Sequence, residues 1–284
     1  MKKGLVLEGG AMRGLFTAGV LDVFMENGID FDGAAGISAG AVFGCNFKSR
    51  QIGRSIRYNK RFCGDKRYGS FSNWIKTGDV FDVDFCYDTI PNELDVFDTE
   101  TFRENPIEFW VGATNVETGE AEYHLCTDGG KNDIQWMRAS ASIPFVSRIV
   151  EVDGYKLLDG GTSDGIPYRF MTEKQGYDKC VTVLTRQPGY KKKKNKLMPI
   201  LRAKLKAYPN LIRALADRHI RYNALYEYME ERVKAGENYI IQPSAALDVA
   251  QMEKNPSKLE AVYQLGREEA LKHLDKVKEF LGIS

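Results

Sequence analysis

Short apolar runs ending in glycine alternate with stretches of helical periodicity over the first fifty residues. "KGLVLEGG" reads as a buried strand running into a glycine turn. From about Leu15 to Glu26, Phe16, Val20, Val23 and Phe24 recur at helical spacing, and Asn27-Gly28 supplies the stop. "FDGAAGIS" reads as a second strand, and a second helix begins at Ala39 and runs to Lys48. Strand, glycine loop, helix, strand, turn and helix in this order predict an α/β fold. The expected form is three-layered α/β/α, with a mostly parallel sheet covered on both faces.

The middle of the chain is less regular. "IEFWVGATNV" and "AEYHLC" predict strands joined across Glu117-Thr118-Gly119, and "SRIVEV" with "YKLLD" predicts a hairpin turning at Asp153-Gly154. "DKCVTVLTR" and "ENYIIQPS" predict two further buried strands. Tyr222, Leu225, Tyr226, Met229 and Val233 fall at helical spacing as a core-facing stripe, and a charged amphipathic helix is expected from about Ser257 to Leu281 in the outer layer. Apart from Lys191–Lys194 the chain has no repeat, low-complexity tract or linker, so one domain over 1–284 is expected.

Composition narrows the class. With 43% hydrophobic and 28% charged residues the chain is of the soluble globular type, and a net charge of +1 gives no overall attraction to nucleic acid. Cys45, Cys63, Cys86, Cys126 and Cys180 include no C-x-x-C pair and are odd in number, which points to reduced thiols in a cytoplasmic protein. Cys45 and Cys180 sit in apolar runs and are expected in the core. The N-terminus lacks the apolar stretch of a signal peptide, and the longest uncharged run, Gly33 to Phe47, is too short to span a bilayer.

Candidate chemistry centres on Gly36-Ile37-Ser38-Ala39-Gly40, a G-x-S-x-G frame between a strand and a helix. Such a turn presents a nucleophilic serine at a helix N-terminus, where the dipole favours developing negative charge. Upstream, "LEGGAMRG" (7–14) offers backbone N–H donors of the kind that make an oxyanion hole. Its glycines, Gly9, Gly10 and Gly14, fit neither the dinucleotide nor the phosphate-loop spacing, and a plain tight turn is the alternative. A carboxylate to serve the serine is found in "LLDGG" as Asp159; "TDGG" offers Asp128 as a rival in a polar stretch that reads as an exposed turn. His124, His219 and His273 are the only histidines. None has a ligand-spaced partner, so no metal site is expected, and His219 and His273 lie on predicted helices among charged residues as surface groups.

Gly9-Gly10-Ala11-Met12-Arg13-Gly14, the serine frame, "RASASIPFVSRIVEVDGYKLLDGG" and Pro167 together resemble the patatin-like phospholipase family over about residues 4–167. The resemblance is to bacterial-type patatin-like serine acyl hydrolases. It implies a Ser-Asp dyad without histidine: Ser38 as nucleophile, Asp159 as proton acceptor, and Gly9, Gly10, Ala11 and Arg13 at the oxyanion loop. Gly36, Gly40, Gly160 and Gly161 match the remaining motif positions. The family usually has glycine where this chain has Ala11, and alanine tolerates positive φ poorly. The implied activity is lipid acyl-ester hydrolysis of phospholipase A or esterase type through an acyl-enzyme, with no cofactor. Two alternatives stand beside it: a non-catalytic lipid- or membrane-binding protein of the same fold, and an α/β-hydrolase esterase with a Ser-His-Asp triad. Between residues 186 and 234, fourteen Lys/Arg face four Asp/Glu with leucines among them. A basic amphipathic segment of this kind, 191–206 above all, is a candidate for peripheral contact with an anionic membrane surface.

Overall fold

Alternating residues of one central strand feed two cores. In a computed structural model describing residues 1–283, β1 (Lys3–Leu7) directs Leu5 and Leu7 to one face and Val6 to the other, all fully buried. The Leu5 face packs on α1 (Gly14–Glu26) and α2 (Ala39–Lys48), with α9 (Pro256–Leu281) outside them. Val6, and Ala35 of β2 (Gly33–Ile37), pack instead against Tyr222, Tyr226 and Met229 of α8 (Pro209–Lys234). The result is a sheet between two helical layers.

Parallel pairing runs through β3 (Glu108–Asn115), β2, β1, β7 (Lys179–Val183) and β8 (Asn238–Ile241). The expectation of a mostly parallel sheet needs correction at one end. There β4 (Ala121–Cys126), β5 (Val150–Val152) and β6 (Tyr155–Asp159) pair antiparallel, so the sheet is mixed. The reasons are local: Asp153 and Gly154 take φ of 51° and 81°, the two-residue turn that returns β6 along β5, and Gly119, at φ 76°, sits in the turn that returns β4 along β3.

Residues 50–105 carry no long periodic pattern, yet they fold into α3 (Arg54–Phe62), α4 (Phe71–Thr77), a π-helical segment (Phe85–Leu94) and α5 (Thr99–Glu104). Ser70 and Asp98 cap α4 and α5 through side-chain acceptors for the N–H groups of Asn73 and Thr101, a signal that lies outside apolar periodicity. One more helix, α6 (Lys131–Ser140), precedes the β5–β6 hairpin.

The basic segment is two helices rather than one, α7 (Met198–Lys204) and α8, parted at Tyr208-Pro209. Most of its apolar residues are core: Leu201, Leu205, Leu211 and Leu215 bury against Val116 and Leu158. In the expected stripe Tyr222, Tyr226 and Met229 are buried, whereas Val233 is exposed.

Helix α9 begins and ends within a residue of its expected bounds, but it is more than a surface cover. Gly19 of α1 and Gly266 of α9 meet backbone to backbone: a Cβ on Gly19 would collide with the Tyr263 carbonyl, and one on Gly266 with that of Phe16. Around this crossing the Tyr263 hydroxyl donates to Asp22 at 2.7 Å, and Arg267 clamps Glu26 with two hydrogen bonds. All five cysteines are free, and Cys45 and Cys180 are buried as their apolar surroundings suggest. Among the described residues, no helix is long and apolar enough to cross a membrane.

Candidate active site

Ser38 leaves β2 with φ 55° and ψ −118° and begins α2 at the next residue. Such a backbone is unfavourable for a residue with a Cβ and persists only where the surroundings enforce it. Here they do. A Cβ on Gly36 would strike the Gly40 carbonyl, and one on Gly40 would strike that of Leu7, so both glycines of the frame are required by close approach. The Ser38 N–H donates to Ser140 Oγ at 2.8 Å, and the Ser140 hydroxyl donates to the Gly112 carbonyl at 2.6 Å. Ser140, in the "RASAS" stretch, thus ties the elbow to β3.

Sheet register explains the neighbour of Ser38. Along β3 one edge belongs to β4, and the other is shared: β2 pairs as far as Ile37–Gly112, and β6 takes over with Asp159–Ala113. Asp159 therefore lies next along the edge that Ser38 has just left. A Cβ on Gly160 would collide with the Gly112 carbonyl, so the acid's approach to β3 depends on that glycine. Ser38 and Asp159 are 8% and 6% exposed.

Asp159 Oδ1 accepts the Gly161 N–H at 2.8 Å, and the Ser38 hydroxyl lies near the same carboxyl. Burial lifts the Asp159 pKa above the ordinary aspartate value, while Arg218, the Ser38 hydroxyl, Gly161 and Lys192 pull it down in that order. The rival, Asp128, sits in an exposed turn and accepts from the Gly130 N–H at 2.7 Å.

The glycine loop leads from β1 to α1. Its Gly9 N–H donates to the Gly165 carbonyl at 3.2 Å, and a Cβ there would crowd Ile37 and Ser38. Among the described residues the N–H groups of Gly10 and Ala11 have no acceptor. Ala11 has φ of 49°, the left-handed conformation a glycine would adopt without strain. Glu8 anchors the loop: it accepts from the Thr185 N–H at 2.6 Å and from the Tyr222 hydroxyl at 2.7 Å.

Ser38 and Ala11 stand between two unlike cavities. One, of about 230 Å³, is lined by apolar side chains including Met12, Val42, Phe43, Tyr58 and Met137. The other, of about 590 Å³, also holds Asp159 and is lined by Arg13, Arg186, Lys192 and Arg218. Arg13 was visible from its place in the glycine loop, but the other three cations arrive from distant segments that spacing alone does not connect.

The histidines are placed differently from the reading of the sequence. The fold gives His124 the partners it lacks in spacing, bringing it within 4.8 Å of Cys126 and Asp133. His124 Nε2 hydrogen-bonds Asp133 at 2.8 Å, and the other Asp133 oxygen accepts the N–H groups of Thr127, Asp128 and Gly129. Burial raises the Cys126 pKa well above the ordinary thiol value, so the thiol keeps its proton. The cluster's donor set is that of a loop anchor rather than a prepared metal site. His273 is half-buried and bonded to the Tyr239 hydroxyl at 2.7 Å, which corrects its placement as a surface group. His219 lines the basic cavity, with Nδ1 bonded to the Ala216 carbonyl of its own helix.

Known proteins share this arrangement in sequence. Residues 5–171 match the profile of the patatin-like phospholipase family, and residues 208–282 match a domain of unknown function, DUF6363. The chain is 31% identical over 185 residues to the uncharacterized protein YjjU of Escherichia coli K12, covering 64% of this chain and 51% of that protein. It is 30% identical over 175 residues to lysophospholipase nte1 of Aspergillus niger, covering 57% of this chain and 10% of the relative. The chain thus spans about half the length of the first relative and a tenth of the second. A solved structure, VipD from Legionella pneumophila, aligns over 97% of this chain and 67% of its own at 14% identity, with a TM-score of 0.48. With its glycine loop, serine elbow and D-G-G acid all inside the matched stretch, the chain belongs to the patatin-like phospholipase family.

Proposed function

We propose that the chain is a serine lipid acyl hydrolase working through a Ser38–Asp159 dyad and an acyl-enzyme. The observation that carries this reading is the Asp159 carboxyl beside the hydroxyl of a strained, glycine-framed Ser38, with no histidine bonded to either. Asp159 takes the hydroxyl proton as Ser38 Oγ attacks the ester carbonyl, and the proton passes to the departing alcohol as the C–O bond breaks. Water, deprotonated by the same carboxylate, then releases the fatty acid and restores the serine. The free N–H groups of Gly10 and Ala11, and that of Ala39 at the start of α2, are the donors available to the oxyanion. The apolar cavity suits an acyl chain, and the name of the A. niger relative supports a lipid ester as substrate. A fluorophosphonate probe tests the reading directly: it should label the native chain at Ser38 and leave Ser38→Ala unlabelled.

Ser140 has a positioning role in this scheme. Ser140→Ala removes the acceptor of the Ser38 N–H and is expected to lower kcat by about 10- to 100-fold with KM little changed, as small misplacements of a reacting group do. A folded Ser140→Ala protein with native kcat would remove Ser140 from the machinery.

The same proposal covers one hydrolytic domain and peripheral contact with a membrane. Lys191 pairs with Glu227, and Lys192 turns into the basic cavity, so the lysine tract is not one flat face. Phe71 and Ile75 on α4, with Leu197 and Ile200 at α7, each expose more than half of their surface. The two helices meet at Phe145, whose carbonyl accepts from Trp74 Nε1 and Lys204 Nζ. Apolar side chains beside lysines near the cavity mouth suit an interfacial surface. Replacing Phe71 and Leu197 by serine should weaken co-sedimentation with anionic vesicles about tenfold or more, at roughly 25 cal/mol per Å² of apolar surface. Unchanged sedimentation would return both residues to ordinary surface.

A further inference from the structure

Four half-buried cations converge on the larger cavity, beside the exposed Lys193, Lys194 and Lys196. Arg13, Arg186, Lys192 and Arg218 line it, and among the described residues none of their side chains makes a salt bridge or a hydrogen bond. The Nε atoms of Arg13 and Arg218 are buried with no partner at all. Two carboxylates share the wall and only partly offset the group: Glu8 acts on Arg13 and Lys192, and Asp159 on Arg218, but their oxygens bond to Thr185, Tyr222 and Gly161.

The cations are fixed in place. Lys192 is clamped to α8 by two hydrogen bonds between its backbone and Asn223, and its ammonium lies 4.1 Å from the centre of the Tyr222 ring. The Arg186 guanidinium lies 4.4 Å over Tyr190. Burial first, then Arg218, and after them Arg13 and Arg186, bring the Lys192 pKa down to about 7 against the pull of Glu8. Half-buried like charges that outnumber their counter-charges destabilise the empty protein and favour an anion that fills the space.

We propose that Arg13, Arg186, Lys192 and Arg218 form a subsite for the phosphate of a net-negative headgroup, so that the preferred substrate is an acyl lipid with an acidic phosphate head. This rests on the Ser38–Asp159 reading and adds a substrate class to it. Geometry supplies the link, because the cavity that holds the cations also holds Ser38, while the apolar cavity opens at the same serine. A lipid spanning the two places its ester at Ser38 between acyl chain and phosphate. A choline or ethanolamine head would bring its own cation among four others, and a headgroup without phosphate would leave them unpaired. Three of the four cations come from residues 186–218, outside the stretch matched to the family.

Binding separates this subsite from the chemistry. Dihexanoyl phosphatidic acid and dihexanoyl phosphatidylcholine, each below its micelle concentration, are titrated calorimetrically into the full chain carrying Ser38→Ala. The acidic lipid is expected to bind at least tenfold more tightly. Arg186→Gln and Lys192→Gln should each erode that preference by about tenfold, the scale of one charge-assisted hydrogen bond. Both single variants are used so that one remains if the other misfolds. Equal affinity for the two lipids, or a preference that survives in folded variants, overturns the proposal. A third titration uses inorganic phosphate: displacement of the acidic lipid only at much higher concentration supports the headgroup assignment. Phosphate binding as tightly as the lipid would overturn it in favour of a free-phosphate site. Failure of the hydrolase reading would instead appear as undiminished ester hydrolysis in Ser38→Ala, which leaves these affinities intact.

Discussion

Ser38→Ala is expected to reduce ester hydrolysis by about 10⁴-fold or more, the scale seen when a nucleophile is removed and only the oxyanion donors and binding contacts remain. The expectation follows from the atom concerned: in the proposed mechanism Ser38 Oγ forms the bond to the acyl carbon, and alanine offers nothing in its place. Stability should change little, because the Ser38 backbone, and not its hydroxyl, carries the bond to Ser140. Alanine keeps the strained φ without adding bulk. The variant should also lose fluorophosphonate labelling. Because nucleophile and base act as a unit, adding Asp159→Asn should lower the rate hardly further. Native turnover by folded Ser38→Ala protein would move the chemistry to another residue and sink the assignment.

Asp159→Asn separates charge from shape. The amide keeps the side chain's outline but cannot accept the serine proton, so a loss of about 10²- to 10⁴-fold in kcat is expected. Its stability carries a second, opposite sign. Burial raises the Asp159 pKa in the fold above its unfolded value, so the native state favours the protonated acid. That contribution is full below the unfolded pKa of about 3.9 and is lost as pH rises through the folded value. At neutral pH the buried carboxylate therefore weighs against folding, and the variant should melt at or above the native temperature; at pH 3 the two should coincide. For the same reason the acid limb of kcat/KM should lie above the ordinary aspartate range.

Two comparisons sharpen the test. Asp128→Asn, in its exposed turn, should matter within about 0.5 kcal/mol. Replacing the three histidines together should lower stability, since His124 and His273 are hydrogen-bonded to Asp133 and Tyr239, but should not abolish turnover. A folded triple-histidine variant without activity, beside an active Asp159→Asn, would restore the Ser-His-Asp alternative.

The sequence already marked the parts of this fold that repeat a simple period. Helix α2 and strand β4 have the bounds their patterns predict, and α9 begins one residue early. The position of the missing glycine was also readable: Ala11 occupies the positive φ at which a glycine was expected. Harder to see were elements held by something other than apolar spacing. The short helices α4 and α5 depend on single capping side chains, whereas the turns at Asp153-Gly154 and Thr118-Gly119 that make the antiparallel edge were already marked by their residues. Least legible was convergence. Arg186, Lys192 and Arg218 look like part of a long basic stretch, and only the fold turns them toward the glycine loop: Arg186 from the end of β7, where Thr185 bonds Glu8, Arg218 on α8, and Lys192 through its backbone bonds to Asn223 of α8. Ser140 is likewise an ordinary small residue until β3 brings Gly112 to its hydroxyl.

The crossing of Gly19 and Gly266 has a consequence for the order in which the protein becomes itself. Helix α1 leaves the ribosome directly after the glycine loop that it holds in place. Its partner helix comes much later, since Asp22 and Tyr263 are 241 residues apart. At about 5–20 residues per second, the nascent chain waits roughly ten seconds to under a minute before α9 arrives. During that interval the backbone groove at Gly19 is bare, and the loop beside Ser38 rests on a helix whose outer support has not yet been made. Hydrolytic competence should therefore follow the synthesis of α9, and not come with completion of the stretch that carries the serine and the acid.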